Sequence, residues 1–322
     1  MRVGVIGTIV WDIIHSRDIR QAPVQEWGGI TYALAGLDAA LDPEWEIIPI
    51  MKVGHDLSAR ATEFIHTLRR AAPDAALIEV PYANNRVELR YVSDERRTEM
   101  LTGGVPGWSW VGLKPALDAA KLDALYINFL SGWELDLDTM RLLRSYFTGP
   151  IYCDFHMKVT TVAPSGLRVL QPMPNIGEWC ECFDLLQVNE DEMSMMAPDP
   201  LALAATAMAR GVRCLAVTLG KRGAVYFAAA GFDGIADLRT APPFGSELRP
   251  LRTALVPVEH VEDAADPTGC GDVWGATYFS RLLAGDKLLD AIAAAHRAAG
   301  RNLRHRGATG LASFLRGQLS LT

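Results

Sequence analysis

The chain has 322 residues, 49% of them hydrophobic and 21% charged, an apolar content too high for a disordered chain and enough for one large α/β domain or two smaller ones. No apolar run approaches the roughly 20 residues that cross a bilayer; residues 224–232, broken by Gly231, form the best one, which excludes a transmembrane helix. A net charge of −7, from 31 Lys+Arg against 38 Asp+Glu, is the reverse of the basic excess that nucleic-acid binders carry.

The opening MRVGVIGTIV has the apolar character of a signal peptide, but Asp12 and His15 interrupt it and no small-residue cleavage site follows. It reads as a first buried strand. Val/Ile/Leu-rich runs at 2–7, 46–53, 124–129, 150–154, 184–188, 214–219 and 224–228 follow as candidate strands. Several are apolar almost throughout, as when helices cover both faces of a parallel sheet. Amphipathic segments at 58–70, 138–147 and 200–210 lie between them. This β-α-β-α order predicts a doubly wound, mostly parallel sheet, whose ligands bind beyond the carboxyl ends of its strands.

Two stretches break the pattern. Residues 15–27 carry Pro23 and Trp27, and 84–102 read NNRVELRYVSDERRTEMLT. In the second, Val87, Leu89 and Tyr91 alternate with Arg86, Glu88 and Arg90 before a turn-like Ser93-Asp94-Glu95, the period-2 pattern of a hairpin. Together they predict a small β appendage. Residues 268–284 and 286–303 are long Ala-rich helical stretches. The five cysteines (Cys153, Cys180, Cys182, Cys214, Cys270) suit a reducing, cytoplasmic setting better than a disulfide framework. Cys180 and Cys182 form a C-x-C, but with no second pair for zinc they read as small buried hydrophobes.

The most informative run is DPTGCGDVWGATYFSRLLAG, residues 266–285. Gly269-Cys270-Gly271 is a flexible turn into a helix whose first turn holds Asp272. Backbone N–H groups unobstructed by Cβ, at the positive end of a helix, make an anion site. Asp272 there is either an ordinary helix cap or a base that takes a proton from an alcohol attacking a phosphoryl group. One turn's composition does not choose between them.

This segment resembles the D-T-x-G-A-G-D signature of the ribokinase (PfkB) family of carbohydrate kinases, and further pieces follow in the family's order. GTIVWD (7–12) is similar to the family's first strand, ending in a sugar-binding Asp, here Asp12. GGITYALAG (28–36) matches its Gly-Gly element with Gly28 and Gly29, and VGHD (53–56) its G-x-D. VNEDE (188–192) holds N-x-x-E as Asn189 and Glu192, TLGKRG (218–223) resembles the T-x-G-x-x-G turn of Thr218, Gly220 and Gly223, and RGA (306–308) the closing turn. The resemblance implies residues 1–322 as a ribokinase-like α/β core, a mostly parallel sheet flanked by helices, with a small β-sheet lid formed by about 13–28 and 84–104. It implies ATP-dependent phosphorylation of a hydroxyl on a small sugar or polyol, with Asp272 as general base and Gly269, Cys270 and Gly271 as the anion hole. Thr268, Asn189, Thr218, Gly220 and Gly223 would lie along ATP, and Glu192 would reach Mg²⁺ through water. A monovalent cation is compatible with the family pattern, and a homodimer through the lid's sheet edge is a further expectation.

Departures concern the acceptor. Ile30-Thr31-Tyr32-Ala33 stands where ribokinases proper have Lys-Gly-Ala-Asn, so Trp11 and Tyr32 suggest a more aromatic site for a sugar face or a base. DFHMK (154–158) leaves Lys158 as a phosphate-side cation, Arg86 and Arg90 as a receptor for a substrate phosphate or a solvated edge, and Cys270 as a thiol-reagent target. Alignment on Gly307 brings His296 to the adenine side, while Arg297, Arg301, Arg304 and His305 share one helical face that reads as solvated. G-x-G-x-x-G, G-x-x-x-x-G-K-[ST], H-E-x-x-H and G-x-S-x-G are all absent. The alternatives to a sugar or polyol kinase are a nucleoside kinase of the same family and a non-catalytic sugar- or nucleotide-sensing protein on the same fold, against which Asp272 and its glycine turn weigh.

Overall fold

The computed structural model describes residues 1–15, 20, 22–91, 97–238, 250–259, 261 and 267–318. Its main sheet has eight strands in the order Arg252–Val256, Ala224–Ala228, Cys214–Thr218, Leu185–Asn189, Ile151–Asp154, Ala124–Asn128, Arg2–Ile6 and Glu46–Ile50. From Cys214–Thr218 to Glu46–Ile50 all pairings are parallel, and the first two strands add antiparallel at the edge. The central strand Ala124–Asn128 (ALYIN) is buried at every position, which explains its unbroken apolar run.

Helix Ile30–Ala40 packs closely on helix Cys270–Leu283, which lies against the sheet because small residues let it approach. A Cβ at Gly36 would stand 2.9 Å from the Ala276 Cβ, and one at Gly275 would stand 2.1 Å from the Tyr152 hydroxyl. Its own Phe279 stacks on Tyr152 and Tyr152 on Tyr126 of the sheet, with centroids 5.3 and 4.8 Å apart, each pair adding about 0.5–1.5 kcal/mol beyond burial. This packing sets the height of the helix N-terminus above the strand ends.

A second sheet of four strands runs Val24–Gly29, Ile9–His15, Arg86–Tyr91, Arg97–Thr102. Val10, Ile14, Val87, Leu89 and Leu101 form its own apolar cluster, as the alternation in 84–102 predicts. Trp11 and Asp12 thus lie not at the end of the first core strand, which stops at Ile6, but in a strand of the small sheet. The turn Ser93-Asp94-Glu95 lies outside the described residues. Residues 46–53 likewise split at Met51: Lys52–Gly54 leaves the main sheet to pair with Ile78–Val80. Gly54 makes that junction, since its N–H donates to Asn84 Oδ1 (3.0 Å) and any Cβ would meet the Asn84 backbone.

Both edges of the small sheet touch the chain's own segments. Leu101 N donates to Gly166 O (2.8 Å) from the hairpin Thr160–Val162/Arg168–Leu170 on one side. On the other, Gly307 sits over Glu26, whose Oε1 accepts from Thr309 Oγ1 (2.6 Å). These contacts occupy part of the edge on which a second chain was expected to pair. Among the described residues no helix is long and apolar enough to cross a membrane.

Candidate active site

Adjacent parallel strands end, side by side, in Thr218, Asn189, Asp154 and Asn128. Above these ends the chain turns at Thr268-Gly269 into helix Cys270–Leu283. A cleft of about 310 Å³ lies between the strand ends, this turn and the small sheet. Gly269 caps the helix with φ +76°, and a Cβ there would fall 2.2 Å from the Tyr32 ring, so both conformation and space demand glycine. The first i→i−4 bond is made by Val273 N to Gly269 O (2.9 Å), so the four preceding N–H groups lack helical acceptors. Cys270 N turns back to Pro267 O (3.2 Å), a correction to its place in the expected anion hole; Gly271 and Asp272 complete the first turn. Asp266, which opens the motif, lies outside the described residues.

Asp272 lines the cleft at 7% exposure, and its Oδ1 accepts from Asn128 Nδ2 (2.7 Å). Burial raises its pKa above the ordinary carboxylate value, opposed by the His156 charge and the Asn128 hydrogen bond. A carboxylate so placed is a stronger base than one in water.

Asn189 caps helix Glu190–Met196 in a reciprocal box: Glu192 N donates to Asn189 Oδ1 (2.8 Å) and Asn189 N to Glu192 Oε2 (2.8 Å). Asn189 Nδ2 also donates to Glu192 Oε1 (2.6 Å), and His156 Nδ1 lies 3.4 Å from the same oxygen. His156 holds an uncommon φ of +36°. Burial pulls its pKa down, but the Glu192 hydrogen bond and the charges of Asp272, Glu192 and Asp154 outweigh that and raise it to about 10. Asp154 is pushed well up by burial and by Glu192, and it accepts from Gln187 Nε2 (3.1 Å), which also donates to Gly271 O (3.1 Å). Glu192 is therefore held by protein donors, and among the described residues no group of three or more His, Cys, Asp or Glu could hold a metal directly.

Of the residues singled out from sequence, Asp12, Gly29, Tyr32, Asn189, Glu192, Thr218, Gly220 and Thr268–Asp272 all border this one cleft. Gly28 stands behind it, making room for Asp12, whose carboxylate a Cβ would overlap at 1.9 Å. Others do not reach it. Trp11 alternates to the opposite face from Val10 and Asp12, edge-on to Trp27 (4.8 Å) and under Arg60. His296 accepts from Trp274 Nε1 (3.0 Å) at Nδ1 and reaches Val256 O (3.1 Å) through Nε2, so both nitrogens are taken; burial lowers its pKa. Gly223, with φ +98°, admits the close approach of Val256 O rather than a ligand.

The expected phosphate-side cations have local partners instead. Lys158 Nζ donates to Gly132 O (3.0 Å) and Leu135 O (3.1 Å) over the Trp179 ring, Arg86 binds Asp56 (2.5 Å), and Arg90 pairs with Glu88. Arg297, Arg301 and Arg304 are exposed and away from the cleft. Cys270 is half-buried, its Sγ accepting from Asn302 Nδ2 (3.3 Å). Asn128, His156, Gln187, Glu99 and Arg168 escaped the sequence reading although all five touch or buttress the site.

This architecture is the ribokinase-like fold, that of kinases which phosphorylate hydroxyl groups. A pyrophosphate-dependent kinase in the ribokinase family, solved with a pyrophosphate analogue and myo-inositol, is similar at 15% identity over 95% of this chain and 96% of that one, with a TM-score of 0.69. The Burkholderia thailandensis nucleoside kinase with inosine gives 14%, 97%, 94% and 0.69, and a putative ribokinase II from E. coli with ATP and Mg²⁺ gives 16%, 98%, 99% and 0.68. No curated protein sequence matches the chain significantly. The chain belongs to the pfkB family of carbohydrate kinases, whose model matches residues 151–313, and is a phosphotransferase with an alcohol acceptor.

Proposed function

We propose that the protein transfers the γ-phosphoryl group of ATP to a hydroxyl of a small sugar, polyol or nucleoside, with Asp272 as general base. The observation that carries this reading is the convergence of Asp272, fixed by Asn128 at 2.7 Å, and the glycine turn at Gly269–Asp272 on one cleft beyond the strand ends. Phosphoryl transfer needs little covalent chemistry from a protein beyond placing the alcohol, spreading the phosphate charge and removing one proton.

In this reading the acceptor lies against the small sheet, near Asp12, Gly29 and Tyr32, and the phosphates lie over the helix N-terminus, near Thr218, Gly220 and Thr268. Asp272 takes the hydroxyl proton as the oxygen attacks, and the amides of Gly269, Gly271 and Asp272 receive the charge on the transferred group. Asn189 and Glu192 would orient waters around a bound Mg²⁺, which supplies charge neutralisation across the phosphates. The small sheet acts as a lid that keeps water from the phosphoryl group.

The test is donor consumption against a panel of ribose, myo-inositol and inosine, run with ATP and with pyrophosphate, since both donors occur among similar structures. Acceptor-dependent turnover with ATP supports the proposal. Turnover with pyrophosphate alone would overturn the donor, and binding of these compounds without turnover would favour a sensing protein.

A further inference from the structure

Two buried side-chain amides hold the glycine turn, one from the sheet and one from a helix, and neither takes part in the chemistry proposed above. Gln187 lies on the strand Leu185–Asn189, in register with Asp154 of the neighbouring strand, and Asn302 ends the helix Leu288–Asn302. They are 2% and 0% exposed. Gln187 Nε2 donates to Gly271 O (3.1 Å) and Asp154 Oδ2 (3.1 Å), while its Oε1 accepts from the Tyr152 hydroxyl (2.5 Å). Asn302 Nδ2 donates to Thr268 O (2.9 Å) and Cys270 Sγ (3.3 Å). A backbone carbonyl only accepts, so in both side chains it is the nitrogen that must face the turn. Gly275 makes room for the Gln187 contact, since a Cβ there would come within 2.5 Å of its Oε1.

A trans peptide sets its C=O antiparallel to the N–H of the next residue. Drawing Gly271 O onto Gln187 therefore turns the Asp272 N–H the other way, and drawing Thr268 O onto Asn302 does the same for the Gly269 N–H. Both N–H groups are among the four that lack helical acceptors, and Thr268, Gly269, Gly271 and Asp272 all border the cleft. We propose that Gln187 and Asn302 are positioning residues for phosphoryl transfer, which aim the Asp272 and Gly269 amides at the charge on the transferred group. This rests on the phosphotransferase reading of the same turn. Each of the two peptides contains a glycine, whose backbone is the least restrained of any residue, so the sequence that opens the turn to a phosphate also leaves its peptide planes loose. The two side-chain amides supply the missing restraint. Donors stabilise developing charge best when they need not reorient as it forms.

The experiment uses Gln187→Met and Asn302→Leu, which keep much of the side-chain volume and lose the donor. It measures kcat and the acceptor KM with the best of ribose, myo-inositol and inosine, and calorimetric affinity for MgADP with and without aluminium fluoride, a mimic of the phosphoryl group in transfer. In each variant kcat should fall roughly tenfold or more while the acceptor KM stays within about twofold. The gain in affinity that aluminium fluoride adds to MgADP should shrink about tenfold. A purely structural role would lower the melting temperature and leave that gain intact, so an intact gain overturns the inference. Should one variant fail to fold, the other decides by the same readings at its own peptide. A wild type that turns over no acceptor fails the kinase reading, and pyrophosphate affinity then decides this one: about tenfold weaker binding by the variants supports it, and equal binding contradicts it. A wild type that binds none of these phosphate compounds overturns both.

Discussion

The two ends of the cleft are built by different means. The end proposed for the phosphates rests on backbone: strand termini, a glycine turn and a helix N-terminus, each set by packing of the main sheet. The end proposed for the acceptor rests on side chains brought together from separate segments, Asp12 and Glu99 from the small sheet and Arg168 from a hairpin 69 residues after Glu99. Backbone sites leave local marks in sequence, because a positive φ or a close approach requires glycine. Side-chain sites assembled across the fold leave none.

If the phosphoryl end is a backbone site, its glycines should be intolerant. Gly269→Ala needs φ +76° and puts a methyl group 2.2 Å from the Tyr32 ring. We expect kcat to fall by about 100-fold or more and the melting temperature to drop, a strained position plus overpacking costing roughly 2–4 kcal/mol. Kinetics and a thermal melt together check this; near wild-type values would show that the turn need not hold its shape.

Asn128 sharpens the account of Asp272. Asn128→Ala removes a donor that favours the charged carboxylate, so the Asp272 pKa, already raised by burial, rises further. A carboxylate acting as the proposed base must be ionised, so activity should be lost as pH falls through that pKa. The acidic limb of the kcat profile should therefore move to higher pH, with about a tenfold loss at neutral pH. A superimposable limb would detach Asn128 from the base.

His156 gives a smaller, thermodynamic effect. Its pKa is about 10 in the fold against 6.5 ordinarily, so its stabilising contribution is complete below pH 6.5 and drains away as pH rises toward about 10. The stability advantage of wild type over His156→Gln, measured by urea unfolding, should shrink across that window. An advantage that grows with pH would mean that the ring is not held charged by Glu192, Asp272 and Asp154.

The smallest effects belong to residues outside the cleft. Trp11→Phe and Lys158→Met should change the acceptor and ATP KM by less than about twofold. A larger change in either would return that residue to the site.

The same contrast explains what was legible. Unbroken apolar runs such as 124–129 marked the parallel sheet, and the glycine turn before Asp272 marked the cleft that sits where such sheets bind ligands. Cations were harder to place: Lys158, Arg86 and Arg90 each found a local carbonyl, ring or carboxylate, and no pattern along the chain distinguishes them from Arg168. His296 was drawn to the adenine side by alignment on Gly307, but the indole of Trp274, one turn of packing away, holds it as a tie to Val256. The break at Met51 escaped because Lys52–Gly54 continues the same apolar rhythm into a different sheet.

The most direct measurement is single-turnover phosphoryl transfer by Asp272→Asn alongside its ATP affinity. Loss of the base while the amide turn survives should leave the ATP Kd within about threefold and slow transfer by roughly 10³-fold or more. Transfer at a tenth of the wild-type rate, with ATP bound equally well, would contradict the role given to this carboxylate.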